Sequence, residues 1–229
     1  MLEKTISNIK SVNEEFYKIA QERLDNLTKP LRSLGRLEDF ARRLVAITEN
    51  KSPVIDKKVI FTFAGDHGVT EEGISAYPKE VTPQMVFNFL RGGAGINVLA
   101  RHAGAEVVVV DIGVDYDFRE IEGLVNMKVI KGTKNFTKGP AMTRDEAIRC
   151  IEVGIELADG YAKKGYKIFG TGEMGIGNTT PSSAIASVLT DKAVSEVTGK
   201  GTGISDESLK RKIKVIEEGI NLNKPNHKD

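Results

Sequence analysis

Lys58-Val59-Ile60-Phe61-Thr62-Phe63-Ala64-Gly65-Asp66-His67-Gly68 is the stretch on which the fold turns. Its apolar part, Val59 to Ala64, is too short for a buried helix and closes on glycines, so it predicts a buried strand with Asp66 and His67 at its carboxyl end. Glu106-Val107-Val108-Val109-Val110-Asp111 repeats the pattern, Met127 to Ile130 is a weaker strand, and Tyr166 to Phe169 is a strand ending in Gly170-Thr171-Gly172-Glu173. Helical segments separate them. Thr82-Pro83 supplies an N-cap and a first-turn proline before Met85, Val86, Phe89 and Leu90, and a short helix runs from Ile96 to His102. A capping box, Thr143-Arg144-Asp145-Glu146, opens a helix that Gly165 closes; Pro181 to Leu189 and Asp206 to Ile220 follow, the last capped by Ser205. Strands alternating with helices predict an α/β fold, a mostly parallel sheet with helices on both faces and right-handed crossovers. In such sheets ligands lie outside the carboxyl ends of the strands, which here carry Asp66-His67, Asp111 and Glu173.

Upstream the texture differs. Leu2, Ile6, Ile9, Val12, Phe16, Ile19, Leu24 and Leu27 recur at helical spacing until Pro30, and a second helix begins near Leu34. Residues 1–50 therefore form a small helical N-terminal subdomain and 51–229 the α/β core.

Composition narrows the function. The 229 residues are 40% hydrophobic and 28% charged, as in an ordinary globular chain. Thirty-three Lys and Arg offset 32 Asp and Glu to leave +1, spread evenly, which argues against nucleic-acid or membrane binding and for small molecules or protein as partners. The single cysteine, Cys150, excludes an internal disulfide and points to a reducing compartment; with no signal peptide or long apolar run, a cytoplasmic location is expected. Cys150 itself sits between apolar neighbours as a small core residue.

The segment richest in chemistry is Gly170-Thr171-Gly172-Glu173-Met174-Gly175-Ile176-Gly177-Asn178-Thr179-Thr180-Pro181, between a strand and a helix. Glycines let backbone N–H groups approach an anion, and a helix N-terminus adds unpaired donors and its positive dipole end, so the loop reads as a phosphate cradle. It lacks the lysine of a Walker A loop and only partly meets the dinucleotide pattern. A tight turn with threonine caps is the plainer alternative. A second glycine-rich piece, Gly199-Lys200-Gly201-Thr202-Gly203, precedes a helix whose Lys212 could complete the grip as a mobile charge. Lys210, Arg211 and Lys214 compete with it, and a solvated basic face explains them equally well. His67 has no second ligand at metal spacing, so no metal and no cofactor are expected. His102 suits a helix C-terminus, and Lys131, Lys134 and Lys138 read as solvated loop charges.

Six collinear stretches resemble one family, the nicotinate-nucleotide:dimethylbenzimidazole phosphoribosyltransferases. They are Lys29-Pro30 with Ser33 to Glu38, Ala64 to Val69, Tyr77-Pro78 through Val81-Thr82 and Gln84-Met85-Val86, Gly92 to Ala100, Gly172 to Pro181, and Gly201-Thr202-Gly203. Arg32 stands where the family usually carries a small residue. The resemblance implies a Rossmann-like fold and a homodimer. It also implies transfer of ribose 5-phosphate from nicotinate mononucleotide to 5,6-dimethylbenzimidazole, with inversion at C1′, giving α-ribazole 5′-phosphate and nicotinate in cobalamin biosynthesis. Carried over, Gly175, Gly177, Asn178, Thr179, Lys212 and Gly203 hold the phosphate and ribose. Glu173 stabilises the ribosyl cation, Gln84 and Met85 line the acceptor-base pocket, and Asp66 and His67 give polar support. The family's members are about half as long again, and their general-base glutamate belongs to a motif beyond Asp229. The expectation is accordingly weak phosphate binding and poor turnover by the 229 residues alone. The competing reading is a non-catalytic phosphate-binding or assembly subunit that needs a partner chain.

Overall fold

The computed structural model describes residues 1–228 and divides them into two compact units, one spanning Met1–Asp56 and one beginning at Lys57. The first unit is helical: α1 (Leu2–Asn8), α2 (Glu14–Asp25) and α3 (Arg36–Thr48). The continuous helix expected to Leu27 is broken, because Ile9 is extended and Asn13 caps a new start, accepting the Glu15 N–H at 3.1 Å. α2 packs on α3. The turn between them is clamped by a buried pair, Lys29 Nζ to Glu38 Oε1 at 2.8 Å, and the same oxygen accepts from Leu34 N–H. That bond to Lys29 is the main reason the Glu38 carboxyl is held below its ordinary range.

The second unit is built on four parallel strands in the order β3-β2-β1-β4, with β1 at Lys58–Gly65, β2 at Glu106–Gly113, β3 at Leu124–Asn126 and β4 at Ile168–Met174. Both faces are covered. Val59, Phe61, Val108 and Val110 meet Leu157 and Tyr161 of α6 (Arg144–Lys163), while Ala64 and Val109 meet Val86 and Phe89 of α4 (Val81–Leu90). Burial on both sides explains why β1 and β2 read as nearly unbroken apolar runs. A short 3₁₀ turn (Gly68–Glu72), α5 (Gly95–Ala103), α7 (Thr179–Thr190), α8 (Val194–Val197) and α9 (Asp206–Asn223) complete the unit. Among the described residues no helix is long and apolar enough to cross a membrane.

Several boundaries differ from expectation. β3 lies at Leu124–Asn126 and not at Met127–Ile130, because Lys128 turns inward to pair with buried Asp111 at 3.0 Å and to donate to the Val114 and Tyr116 carbonyls. Asp111, whose other oxygen accepts from Val114 N–H, is thereby committed to structure. β4 runs through the glycines to Met174, since its ladder with β1 continues residue by residue as far as Ala64–Met174. Thr82 is no cap: α4 begins at Val81, and Thr82 is wholly buried.

Candidate functional site

The strand order places the site. β1 leads outward to β2 and β3 on one side, while β4 joins it on the other, so the order in which the parallel strands are added reverses between β1 and β4. A crevice at such a reversal, beyond the carboxyl ends, is where parallel sheets take ligands. Here Asp66 and His67 leave β1 while the loop Gly175–Asn178 leaves β4 for α7. Register sets Glu173 beside Phe63 and Met174 beside Ala64, so Glu173 lies one residue short of the strand end.

The loop is held tightly. A Cβ on Gly175 would come within 2.1 Å of the Gly65 carbonyl oxygen, so only glycine permits this close approach of the two strand ends. Ile176 N–H donates to Thr82 Oγ1 at 3.1 Å, Asn178 N–H to the Gly175 carbonyl and Thr180 N–H to that of Gly177. The N–H groups of Gly177 and Thr179 have no backbone partner among the described residues. The cradle is therefore narrower than the glycine count suggests, and part of the glycine content serves packing.

Lys212 enters from α9. It is 1% exposed, whereas Lys210, Arg211 and Lys214 are exposed, so packing singles it out from its neighbours. The buried face of α9 is Lys212, Val215, Ile216 and Gly219, with the expected Leu209, Ile213 and Ile220 only half-buried. Its Nζ donates to Thr179 Oγ1 at 2.6 Å and to the Gly199 carbonyl at 3.2 Å, and no carboxylate pairs with it among the described residues. Burial pushes its pKa down. Gly201, with φ +57°, comes close over this pair: a Cβ there would lie 2.9 Å from Thr179 Oγ1. Gly203 has open space around it, so of the second glycine segment Gly199 and Gly201, not Gly203, meet the lysine.

Asn178, expected among the phosphate ligands, has its side chain committed elsewhere. Its Nδ2 donates to Glu173 Oε2, and its Oδ1 lies 2.6 Å from His67 Nε2. Desolvation raises the Glu173 pKa and lowers that of His67; for His67, Asn178 and Asp66 oppose the shift. Buried Asp66 accepts from Asp115 N–H at 2.8 Å through Oδ2, while its Oδ1 has no partner among the described residues. Asp66 and His67 line a cleft of about 380 Å³ with Tyr77, Lys79, Asp115 and Lys131. Gln84 and Met85 do not line it. Gln84 is exposed on α4, and Met85 packs with Met174 against the core cluster that holds Val86. Thr82 is the participant that the sequence did not reveal, because its place before Pro83 reads as an N-cap; Gly199 and Gly201 belong to the glycine-rich piece that the sequence offered, although Gly203 was the residue carried over from it. Among the described residues no group of three or more His, Cys, Asp or Glu side chains could hold a metal.

A doubly wound sheet whose strand-order reversal carries a helix start and a buried ammonium that no carboxylate pairs with among the described residues is an α/β arrangement suited to an anionic ligand. A family model described as phosphoribosyltransferase (DBI_PRT) matches residues 9–229, and the chain belongs to that family. It is 62% identical over its full length to the nicotinate-nucleotide–dimethylbenzimidazole phosphoribosyltransferase of Geotalea uraniireducens, 61% to that of Geobacter sulfurreducens and 51% to that of Acetivibrio thermocellus. In each case it spans 65% of the relative's length. It is likewise similar to the crystal structure of CobT from Thermus thermophilus, at TM-score 0.86 and 44% identity over 89% of this chain and 61% of the other.

Proposed function

We propose that the chain serves the transfer of ribose 5-phosphate from nicotinate mononucleotide to 5,6-dimethylbenzimidazole, releasing nicotinate and forming α-ribazole 5′-phosphate. The observation that carries the reading is Lys212 of α9, a buried ammonium against the start of α7 with hydroxyl and carbonyl partners but no counter-ion among the described residues. A 5′-phosphate supplies the missing charge, and the N–H groups of Gly177 and Thr179 complete its cradle. With the phosphate there, the ribose reaches toward Glu173. The C1′–N bond to the pyridinium breaks with its electron pair passing to the ring nitrogen, the unprotonated benzimidazole nitrogen bonds to C1′ from the opposite face, and the proton on the other ring nitrogen passes to water. Positive charge grows on the ribose as the old bond lengthens, and a carboxylate held beside it stabilises that charge. Met85 and Met174 offer apolar surface to a flat dimethylated ring, with Gln84 at its edge.

This reading carries with it a cytoplasmic setting and a homodimer. Ile9, Leu31, Leu37, Phe40 and Ile47 of the helical unit are all more than half exposed, an apolar surface suited to a second copy. The test is calorimetric titration of nicotinate mononucleotide into the chain and into Lys212→Ala. The variant should bind weaker by about 1–3 kcal/mol, the scale of hydrogen bonds that involve a charge. Equal affinity removes Lys212 from the site, and a parallel assay for α-ribazole phosphate tests the reaction itself.

A further inference from the structure

The Asn178 side chain contacts both Glu173 and His67, and its amide has a sense. Glu173, as a carboxylate, only accepts hydrogen bonds, so the amide NH2 must face it, as Nδ2 does. The carbonyl end, Oδ1, then faces His67 Nε2 at 2.6 Å, and two acceptors cannot share that distance. His67 Nε2 must therefore carry a proton. Were the imidazole proton on Nδ1 instead, Nε2 would repel Oδ1, the amide would turn over, and its carbonyl would be set against the Glu173 carboxylate.

We propose that His67 is a positioning residue for Glu173, acting through the Asn178 amide: its Nε2–H fixes the sense of the amide and so keeps an NH2 donor on the carboxylate. The inference rests on the reading of Glu173 as the ribose-facing carboxylate and adds what holds it. His67 is itself well placed for this. It stands at the end of β1, bridged to Thr133 on one side, while Gly68 N–H donates to Thr133 and Thr133 N–H to Asp66. Asn178 contacts both side chains, donating to Glu173 through Nδ2 and meeting His67 through Oδ1, and so links them geometrically. Glu173 is an exposed residue and its carboxylate is only partly desolvated, so the Asn178 amide gives it a donor of fixed direction where water would offer a mobile one.

Nitrogen-15 resonances of the imidazoles report which ring nitrogen is protonated, and with three histidines in the chain His67 is assigned by its loss in His67→Gln. The expected result is the Nε2–H form in the native chain. Carbon-13 titration of Glu173, assigned by Glu173→Gln, should move upward by about half a pH unit or more in His67→Phe, where the amide is free to turn over. In His67→Gln, whose side-chain amide can donate to Asn178 Oδ1, the titration should return toward the native value. A proton on Nδ1 in the native chain overturns the proposal, as does an unmoved Glu173 in His67→Phe or a His67→Gln titration equal to that of His67→Phe. The native-chain measurement decides the matter even where His67→Phe fails to fold. None of these readouts needs turnover, so a failed transferase assay would count against the proposed reaction and leave the relay standing.

Discussion

At Lys212 the proposed phosphate binding and the stability of the fold pull in opposite directions. An ammonium removed from water without a counter-charge is costly, and an apolar side chain of similar length relieves that cost. Lys212→Met should therefore unfold at an equal or higher urea midpoint than the native chain when no ligand is present, while losing its affinity for nicotinate mononucleotide. The sign of the pH dependence follows from the same burial. Because the folded chain holds Lys212 at a lowered pKa, it carries fewer protons than the unfolded chain between that value and the ordinary lysine value of about 10.4. This residue's unfavourable contribution is thus fully present at lower pH, and stability rises with pH through that window. Urea titrations on the alkaline side should show the rise in the native chain and a flatter profile in Lys212→Met; parallel profiles would mean that Lys212 keeps its ordinary pKa.

Among the elements, the helix starts divide by how local their chemistry is. Thr143 caps α6 as its sequence predicts, its hydroxyl accepting from Glu146 N–H while the Glu146 carboxylate accepts from Thr143 N–H, and this reciprocal pair needs nothing from elsewhere in the fold. Thr143→Ala should accordingly lower unfolding free energy by about 1 kcal/mol, read from denaturant curves. Thr82 looks like the same signal, yet its hydroxyl serves Ile176, 94 residues away, and no local pattern distinguishes the two. Arg32 supplies an opposite case. It sits at φ +58° in the turn clamped by Lys29 and Glu38, where an L side chain is strained, and Arg32→Gly should relieve up to about 1 kcal/mol on the same measurement.

For the whole molecule, the open side of β4 is the exposed element of the sheet. Ile168 and Phe169 are both more than a third exposed there, and an edge with apolar side chains recruits other chains. Ile168→Lys should reduce light scattering on heating without lowering the unfolding midpoint; undiminished scattering would place the sticky surface elsewhere. The α/β class, the central strands and the capped helices were legible in the sequence by itself, because burial on two faces and helix capping write short-range patterns. So was the strand-end loop between β4 and α7, whose glycines and threonines announce a turn into a helix. What the tertiary structure alone decided was the strand order, which puts β1 beside β4 and makes a crevice of their ends. It also decided which of several adjacent cations is buried, and whether Asn178 faces a ligand or bridges Glu173 and His67. Those outcomes depend on contacts between segments apart in the chain, by 33 residues for Lys212 with Thr179 and by 111 for His67 with Asn178, and side-chain order along the chain carries no record of which distant partner will arrive.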